Sequence, residues 1–467
     1  MQRCRFATVP AFVAALLSVA GGALAQSDSP DLFAPSRTSL LGDAGGLRPG
    51  LARVGIALTL TDINEAFGNL AGGIKRGAAY QGLSTLTLQL DTQKAFGWGG
   101  GLFNISGLQI RGHNFSQFHV GDLQTTSGIA ATPTTRLWEA WYQQQIVDGK
   151  LDVRVGLQSL DQEFMTSTGS AVFLNTMMGW PMLPSADLYA GGPSYPLSSL
   201  GVRLKAQQGA FTVLGGVFQD NPPGGPFAND GQLRGSSRWG GNFNLRTGAL
   251  FIGEIQYALN PPSVGAPNAP AAQSGLPGTY KLGFWYDTAG YPDQRFDTRG
   301  VSLANPASSG IARTDRGNFS LYAVADQTIW QPDPEQPMAL AVFLRPMIAP
   351  SDRNQINFSI NGGVTLKAPL PGRDDDTLGL GFGVANIGGG ARGLARDLAL
   401  FSATYVPGRG AETFVELTYQ AQIAPWWQLQ PDIQYRWRTG GGVADPNRPG
   451  KALGNALIIG VRNLITF

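Results

Sequence analysis

Residues 151–158 alternate without a break: Leu151, Val153, Val155 and Leu157 are apolar, while Asp152, Arg154, Gly156 and Gln158 are polar or small. Period two places successive side chains on opposite faces of a strand, so one face of this segment is greasy and the other wet. The same pattern returns at 86–91, 200–205 and 415–420. Beyond the N-terminus no stretch offers the roughly 18 consecutive apolar residues of a membrane-crossing helix. The chain is therefore built of strands, and what must be decided is whether water or lipid bathes the greasy face.

Three features choose lipid. Many of the alternating runs are about 9 to 11 residues, the length a tilted strand needs to cross a bilayer. Aromatic residues cluster at strand ends, as in Trp138, Trp141 and Tyr142 and again in Trp426, Trp427, Tyr435 and Trp437, where a lipid–water boundary would hold them. The last strand, 457–467, keeps positions 457, 459, 461, 465 and 467 apolar, with Asn463 the exception, and terminates in Phe467. A strand ending in Phe resembles the C-terminal signal read by the outer-membrane assembly machinery, which makes that machinery an expected partner.

The N-terminus agrees. Arg3 and Arg5 precede an apolar run over 12–19 and then Ala23-Leu24-Ala25, the charged, apolar and small-residue regions of a secretory signal peptide. The run is too short to span a membrane. Residues 1–25 are read as that signal, 26–50 as a short periplasmic leader and 51–467 as the barrel. Arg3 and Arg5 leave with the signal, so 34 Lys and Arg become 32, against 32 Asp and Glu. A neutral mature chain lacks the basic face of a nucleic-acid binder. Cys4, the single cysteine, leaves too, which removes disulfides, thiolate metal sites and cysteine nucleophiles. Charged residues are only 14%, against about 25% in soluble domains, yet mean hydropathy is an unremarkable −0.06.

Candidate strands from Leu51 onward number roughly 16 to 18 by the alternation rule, giving an all-β, antiparallel transmembrane barrel of the size that leaves an aqueous lumen. Tight connections such as 148–150 alternate with long ones such as 161–197 until 288–317, which is long where a short turn is due. That break implies a misplaced strand in the middle of the chain.

The motifs from Leu51 to the end resemble the carbohydrate-selective porins of the OprB type. Gly72-Gly73, Leu88-Gln89-Leu90-Asp91, Val120-Gly121-Asp122-Leu123-Gln124 and Arg136-Leu137-Trp138-Glu139-Ala140-Trp141 come first. Phe173-Leu174-Asn175, Gly179-Trp180-Pro181 and Gly191-Gly192-Pro193-Ser194-Tyr195-Pro196-Leu197 follow. Gly278-Thr279-Tyr280-Lys281-Leu282-Gly283, Pro371-Gly372-Arg373-Asp374-Asp375-Asp376 and Gln430-Pro431-Asp432-Ile433-Gln434-Tyr435 complete the series. Their order along the chain is more specific than any one of them. A departure stands at Arg436-Trp437-Arg438-Thr439-Gly440-Gly441, where the family tends to carry an Asn-Pro-Gly-Gly turn. The resemblance implies a 16-stranded barrel with a narrowed polar channel for small sugars such as glucose. A general diffusion porin and a barrel enzyme are the alternatives.

A neutral sugar entering a constriction loses hydrogen bonds to water, so the wall must supply donors, acceptors and flat apolar faces. Strand parity turns Glu139, Arg154, Arg203, Lys205, Glu254, Glu416 and Arg436 inward, because a charge on the lipid face costs about 2 to 4 kcal/mol near the midplane. The 161–197 loop is expected to fold into the lumen with Asp161, Glu163, Trp180 and Tyr189 as lining or anchoring groups, since loops this long are seldom idle. No cofactor and no metal are expected. His113 and His119 read as loop histidines without a metal spacing or a nucleophile elbow, Asp374-Asp375-Asp376 as a polar turn, and Gly388-Gly389-Gly390 as lacking both the strand-to-helix setting and the lysine of a phosphate loop. Small sugars and outer-membrane lipid are the expected partners. A single barrel and a homo-oligomer both fit the sequence.

Overall fold

The computed structural model describes residues 37–224, 238–241, 243–261, 275–402 and 406–467. The signal peptide, residues 1–25, and the first part of the 26–50 leader lie outside the described residues. Among them, one closed antiparallel barrel contains sixteen strands. These are β1 (Ile56–Gly73), β2 (Gly77–Asp91), β3 (Gly101–Gly112), β4 (Thr134–Ile146), β5 (Leu151–Gln158), β6 (Ser199–Gln208), β7 (Phe211–Gln219) and β8 (Ala249–Leu259). The second half comprises β9 (Gly278–Asp297), β10 (Ala312–Trp330), β11 (Ala339–Ile348), β12 (Ile356–Lys367), β13 (Thr377–Ile387), β14 (Glu412–Ala424), β15 (Trp427–Trp437) and β18 (Gly454–Thr466). The short strands β16 (Ala444–Asp445) and β17 (Arg448–Ala452) pair with each other in the last long connection. The final strand closes the cylinder on the first, with Glu65 opposite Arg462 and Asn64 opposite Asn463. Closure leaves no unpaired edge, which lipid would not tolerate. No described helix is long and apolar enough to cross a membrane.

Burial is inverted relative to a soluble protein. Leu86, Leu88, Phe103, Ile105, Val202, Leu204, Leu282 and Phe284 are exposed on the outer wall, whereas Glu65, Gln81, Arg203, Glu254, Arg345, Glu416 and Arg436 are buried inside. That is the apolar-out, polar-in order of a membrane barrel. The break anticipated at 288–317 is resolved by strand length. Residues 288–297 continue β9 and 312–317 begin β10, so the true connection is 298–311 and falls at the same barrel end as 113–133 and 159–198.

The aromatic clusters divide between the two faces. Tyr142 lies outside against Phe103, with ring centroids 4.5 Å apart, and Tyr435 and Trp437 are likewise outward neighbours. Trp141 instead sits opposite Asn104 and turns inward beneath Arg154, 4.1 Å from its ring centre. Trp138 meets Tyr195 of the long loop edge-on. These two tryptophans therefore pack the interior rather than an interfacial girdle. Gly388-Gly389-Gly390 also differs from expectation, because it does join a strand to a helix, β13 to the segment Gly389–Phe401. Its glycines admit neighbouring backbone: a Cβ at Gly388 would stand 2.7 Å from the Asn354 carbonyl oxygen and one at Gly390 2.7 Å from that of Ser351.

Candidate functional site: a loop fastened inside the barrel

The connection 159–198 between β5 and β6 enters the lumen and forms its main apolar core there. Phe164, Met165, Phe173, Met177, Met178 and Leu183 pack against Leu214, Phe218, Ile252, Trp285, Tyr322 and Phe343 of the inner wall. Burying each such side chain contributes about 1.5–3 kcal/mol. Glycines on β13 make the fit: a Cβ on Gly381 would lie 2.7 Å from the Phe173 ring. Where these side chains rest, the wall carries apolar residues on its inner face as well as its outer one.

At the centre of the loop a single helical turn, α1 (Thr176–Gly179), is held at both ends by charges from the wall. Its N-terminal side presents the Leu174 and Asn175 amides to the two carboxylate oxygens of Glu416 on β14, at 2.5 and 3.2 Å. The Asn175 side chain caps Met177 N. At the other end Arg345 on β11 donates to the carbonyls of Met177, Met178 and Gly179 at 2.7, 2.7 and 3.1 Å, and to that of Met165 at 2.9 Å. A carboxylate at the start of a helical turn and a guanidinium at its end each satisfy backbone groups that the turn cannot pair itself. Both charged side chains are essentially fully buried.

Further fasteners surround it. Met165 N donates to Glu254 Oε2 at 2.8 Å, Lys281 Nζ donates to Thr166 O at 2.7 Å, and Ser167 Oγ donates to Asp326 Oδ1 at 2.6 Å. A second inserted connection, 113–133, is tied by Glu412, which accepts from the Leu123 and Gln124 amides at 3.0 and 2.8 Å. The same carboxylate accepts from Gly440 N at 2.6 Å, so the Gly-Gly segment that departs from the family turn is locked to the inserted loop. Arg436 reaches Asp122 at 2.9 Å.

The sequence-derived candidates accordingly occupy different positions. Glu254, Glu416 and Arg436 are buried loop fasteners. Glu139 accepts from Ser159 N at 3.0 Å at the neck of the loop. Asp161 accepts from Ser159 Oγ at 2.7 Å and Tyr195 N at 2.9 Å, and burial raises its carboxyl above the ordinary range. Trp180 lies inside the loop, its Nε1 donating to Gly191 O at 2.9 Å. Tyr189 anchors the loop on the wall by stacking on Tyr291 with centroids 4.6 Å apart. Arg203 binds Glu163 through two hydrogen bonds of 2.8 and 2.9 Å and also pairs with Asp152.

Three candidates keep part of their polar surface open on one stretch of wall. Arg154 stands 3.4 Å from Glu163, with side-chain exposures of 15% and 22%. Lys205 is partly exposed on the adjacent strand. Burial pushes Glu163 upward, and the attraction of Arg154 and then Lys205 opposes it. Gln143 Oε1 accepts from both Arg154 and Arg203, at 2.8 and 3.2 Å. Donors and acceptors of both signs, with the Trp141 ring under one of them, are what a neutral polyhydroxyl solute can use.

Sequence reading missed Arg345, Glu412, Asp122, Asp326 and Lys281. Arg345 is flanked inward by Phe343 and Met347, which are apolar because they carry the loop, so no alternation flags it. Glu412 opens its strand next to a loop, where parity is not yet established. Among the described residues no cluster of three or more His, Cys, Asp or Glu is placed to hold a metal ion.

The comparisons with known proteins agree with this architecture. The family described as carbohydrate-selective porin, OprB family, matches residues 75–467. Porin B of Pseudomonas aeruginosa is 25% identical over 458 residues, spanning 94% of this chain and 93% of the relative. The putative porin QuiX of Acinetobacter baylyi is 24% identical, spanning 87% and 89% of the two chains. Among solved structures, the high-pH form of Pseudomonas putida OprB superposes with a TM-score of 0.78 over 92% of this chain and 98% of that one, at 23% identity. Its low-pH form gives 0.55 at 18% identity, with 93% and 100% covered. The match over most of the chain and the barrel with its fastened loop lead to one conclusion: this protein belongs to the OprB family of carbohydrate-selective porins.

Proposed function

We propose that the barrel lets small neutral sugars, of the size and polarity of glucose, diffuse across the outer membrane past the inserted 159–198 loop, with Arg154, Glu163 and Lys205 as the solute-facing groups. The observation that supports this is their partial exposure beside a loop to which the buried wall charges Glu416 and Arg345 are committed. The guanidinium fork donates to adjacent hydroxyls and the carboxylate accepts, while the Trp141 ring supports the Arg154 fork from beneath. Binding stays weak, as a channel requires, because a solute must also leave. No catalytic role is assigned to any residue. The signal peptide over 1–25 is cleaved on export in this reading, and the assembly machinery recognises the strand ending at Phe467. In a planar bilayer, glucose should reduce ion conductance saturably. Conductance indifferent to millimolar glucose would favour a general diffusion pore instead.

A further inference from the structure

At the end of the barrel that carries the long connections, those that follow β11, β13 and β15 meet around a cavity of about 350 Å³. One side of it is the helix after β13, Gly389–Phe401. Polar contacts fix this helix in place. Arg295 on β9 donates to both carboxylate oxygens of Asp397, at 2.7 and 2.9 Å, and Ser302 Oγ donates to the same group at 2.6 Å. At the start of the helix Gly388 N donates to Gln355 O at 2.8 Å and Gly390 N to Ser351 O at 3.2 Å. Ala391, Leu394, Ala395 and Leu398 fall at i, i+3, i+4 and i+7, which is one apolar stripe, and all four line the cavity.

Val406, Pro407, Val443 and Ala444 form the opposite side. That side is tied down as well: Arg438 Nη2 donates to Gly408 O at 2.8 Å, and Gly410 N donates to Gly441 O at 2.9 Å. Arg409 stands between these two ties, so its backbone is held on both sides while its side chain lines the cavity. Its Nε is buried without a hydrogen-bond partner, and its guanidinium forms no ion pair among the described residues. The carboxylate whose charge it feels, Glu412, already accepts from the Leu123, Gln124 and Gly440 amides. A partly desolvated cation with no counter-ion is a cost that an anionic ligand removes. We infer that this cavity binds small ring carboxylates of the size of benzoate, with the ring against the Leu394 and Leu398 stripe and the carboxylate on the Arg409 fork. A guanidinium takes a carboxylate through two parallel hydrogen bonds, and a cavity near the lower end of the roughly 300–1,000 Å³ range of ligand pockets suits a single ring. A sugar would be served poorly, because its hydroxyls would face mainly aliphatic side chains, with Gln294 and Gln355 as the other polar groups. The site is separate from the Arg154, Glu163 and Lys205 wall and does not rest on its assignment.

Saturation-transfer NMR on the full chain in lipid nanodiscs tests this, with empty nanodiscs as the blank. Benzoate and cyclohexanecarboxylate should bind saturably and displace each other. Acetate, which lacks the ring, and benzyl alcohol, which lacks the charge, should displace benzoate at least about tenfold less well, and glucose should not displace it. Arg409→Gln should weaken benzoate binding about tenfold or more, the share of a charged hydrogen-bonded contact. Ala444→Trp, which fills the cavity and leaves Arg409 in place, should abolish it, and heat-modifiable mobility reports folding of each variant. Unchanged benzoate binding in either folded variant, displacement by glucose, displacement by acetate as readily as by the ring acids, or no saturable signal from the wild-type chain would overturn the assignment.

Discussion

Replacing Arg345 by Ala should loosen the constriction without emptying the barrel. The guanidinium donates to four loop carbonyls, those of Met165, Met177, Met178 and Gly179, and to Asn361 Oδ1 at 2.8 Å. A buried acceptor left without a partner costs about 1–3 kcal/mol. With the lower figure for each carbonyl, since lumenal water can enter the space vacated, the loss is roughly 4 kcal/mol. Against it stands the burial of Phe164, Met165, Phe173, Met177, Met178 and Leu183, on the order of 10 kcal/mol at about 1.5–3 each. The apolar contacts win, so the loop stays in the lumen while the turn Thr176–Gly179 loses its C-terminal hold. Single-channel recording should show a modestly larger mean conductance with excess open-channel noise, and weaker glucose block. Arg345→Lys should recover only part of this, because one ammonium cannot serve a fan of carbonyls as a planar fork does. Wild-type conductance and noise in a correctly folded Arg345→Ala barrel would show that the loop is held by its apolar side chains alone.

Arg154→Ala should weaken saturable glucose block and move ion preference toward cations, because it removes a fixed positive charge and several donors from a partly open wall; unchanged values of both would place the solute path elsewhere. Burial pushes Asp187 well above the ordinary carboxylate range and Asp161 in the same direction. The docked loop then binds protons more tightly than the undocked one, so docking is strongest below the ordinary carboxylate value and is lost progressively as pH rises from there through the raised one. Limited proteolysis of the loop should quicken toward alkaline pH, and Asp187→Asn should flatten that dependence; the same slope in both proteins would refute it. Deleting Phe467, whose amide donates to Leu60 O at 2.9 Å, should reduce assembled barrel far more than trimming a surface loop does, and equal yields of heat-modifiable protein would remove its assigned role.

Much of the architecture was legible in the chain. Alternation at 86–91, 151–158, 200–205 and 415–420 identified strands that are wet on one side, and the same parity turned Arg154, Arg203, Glu254 and Glu416 inward, where burial shows them. It was blind on β11, where Phe343 and Met347 flank Arg345, and on β7, where Leu214 and Phe218 are buried inside. Those strands are greasy on both faces, one toward lipid and one toward the inserted loop. The clustering of aromatic residues misassigned Trp138 and Trp141 to an interfacial girdle, because a lumenal aromatic packed beneath a loop reads in sequence like an interfacial one.

Period and polarity are local properties, written in adjacent residues, and they were sufficient to specify a closed sheet with a wet interior. What each inward charge does depends on which remote backbone it meets. Glu416 meets Leu174 N and Arg345 meets Met177 O, across 242 and 168 positions of chain. An inward carboxylate that fastens a loop and one that faces a passing solute carry the same sequence signature. Only the path of 159–198 through the lumen separates them, since it brings unpaired amides and carbonyls to Glu416 and Arg345 and leaves Arg154, Glu163 and Lys205 partly open to water.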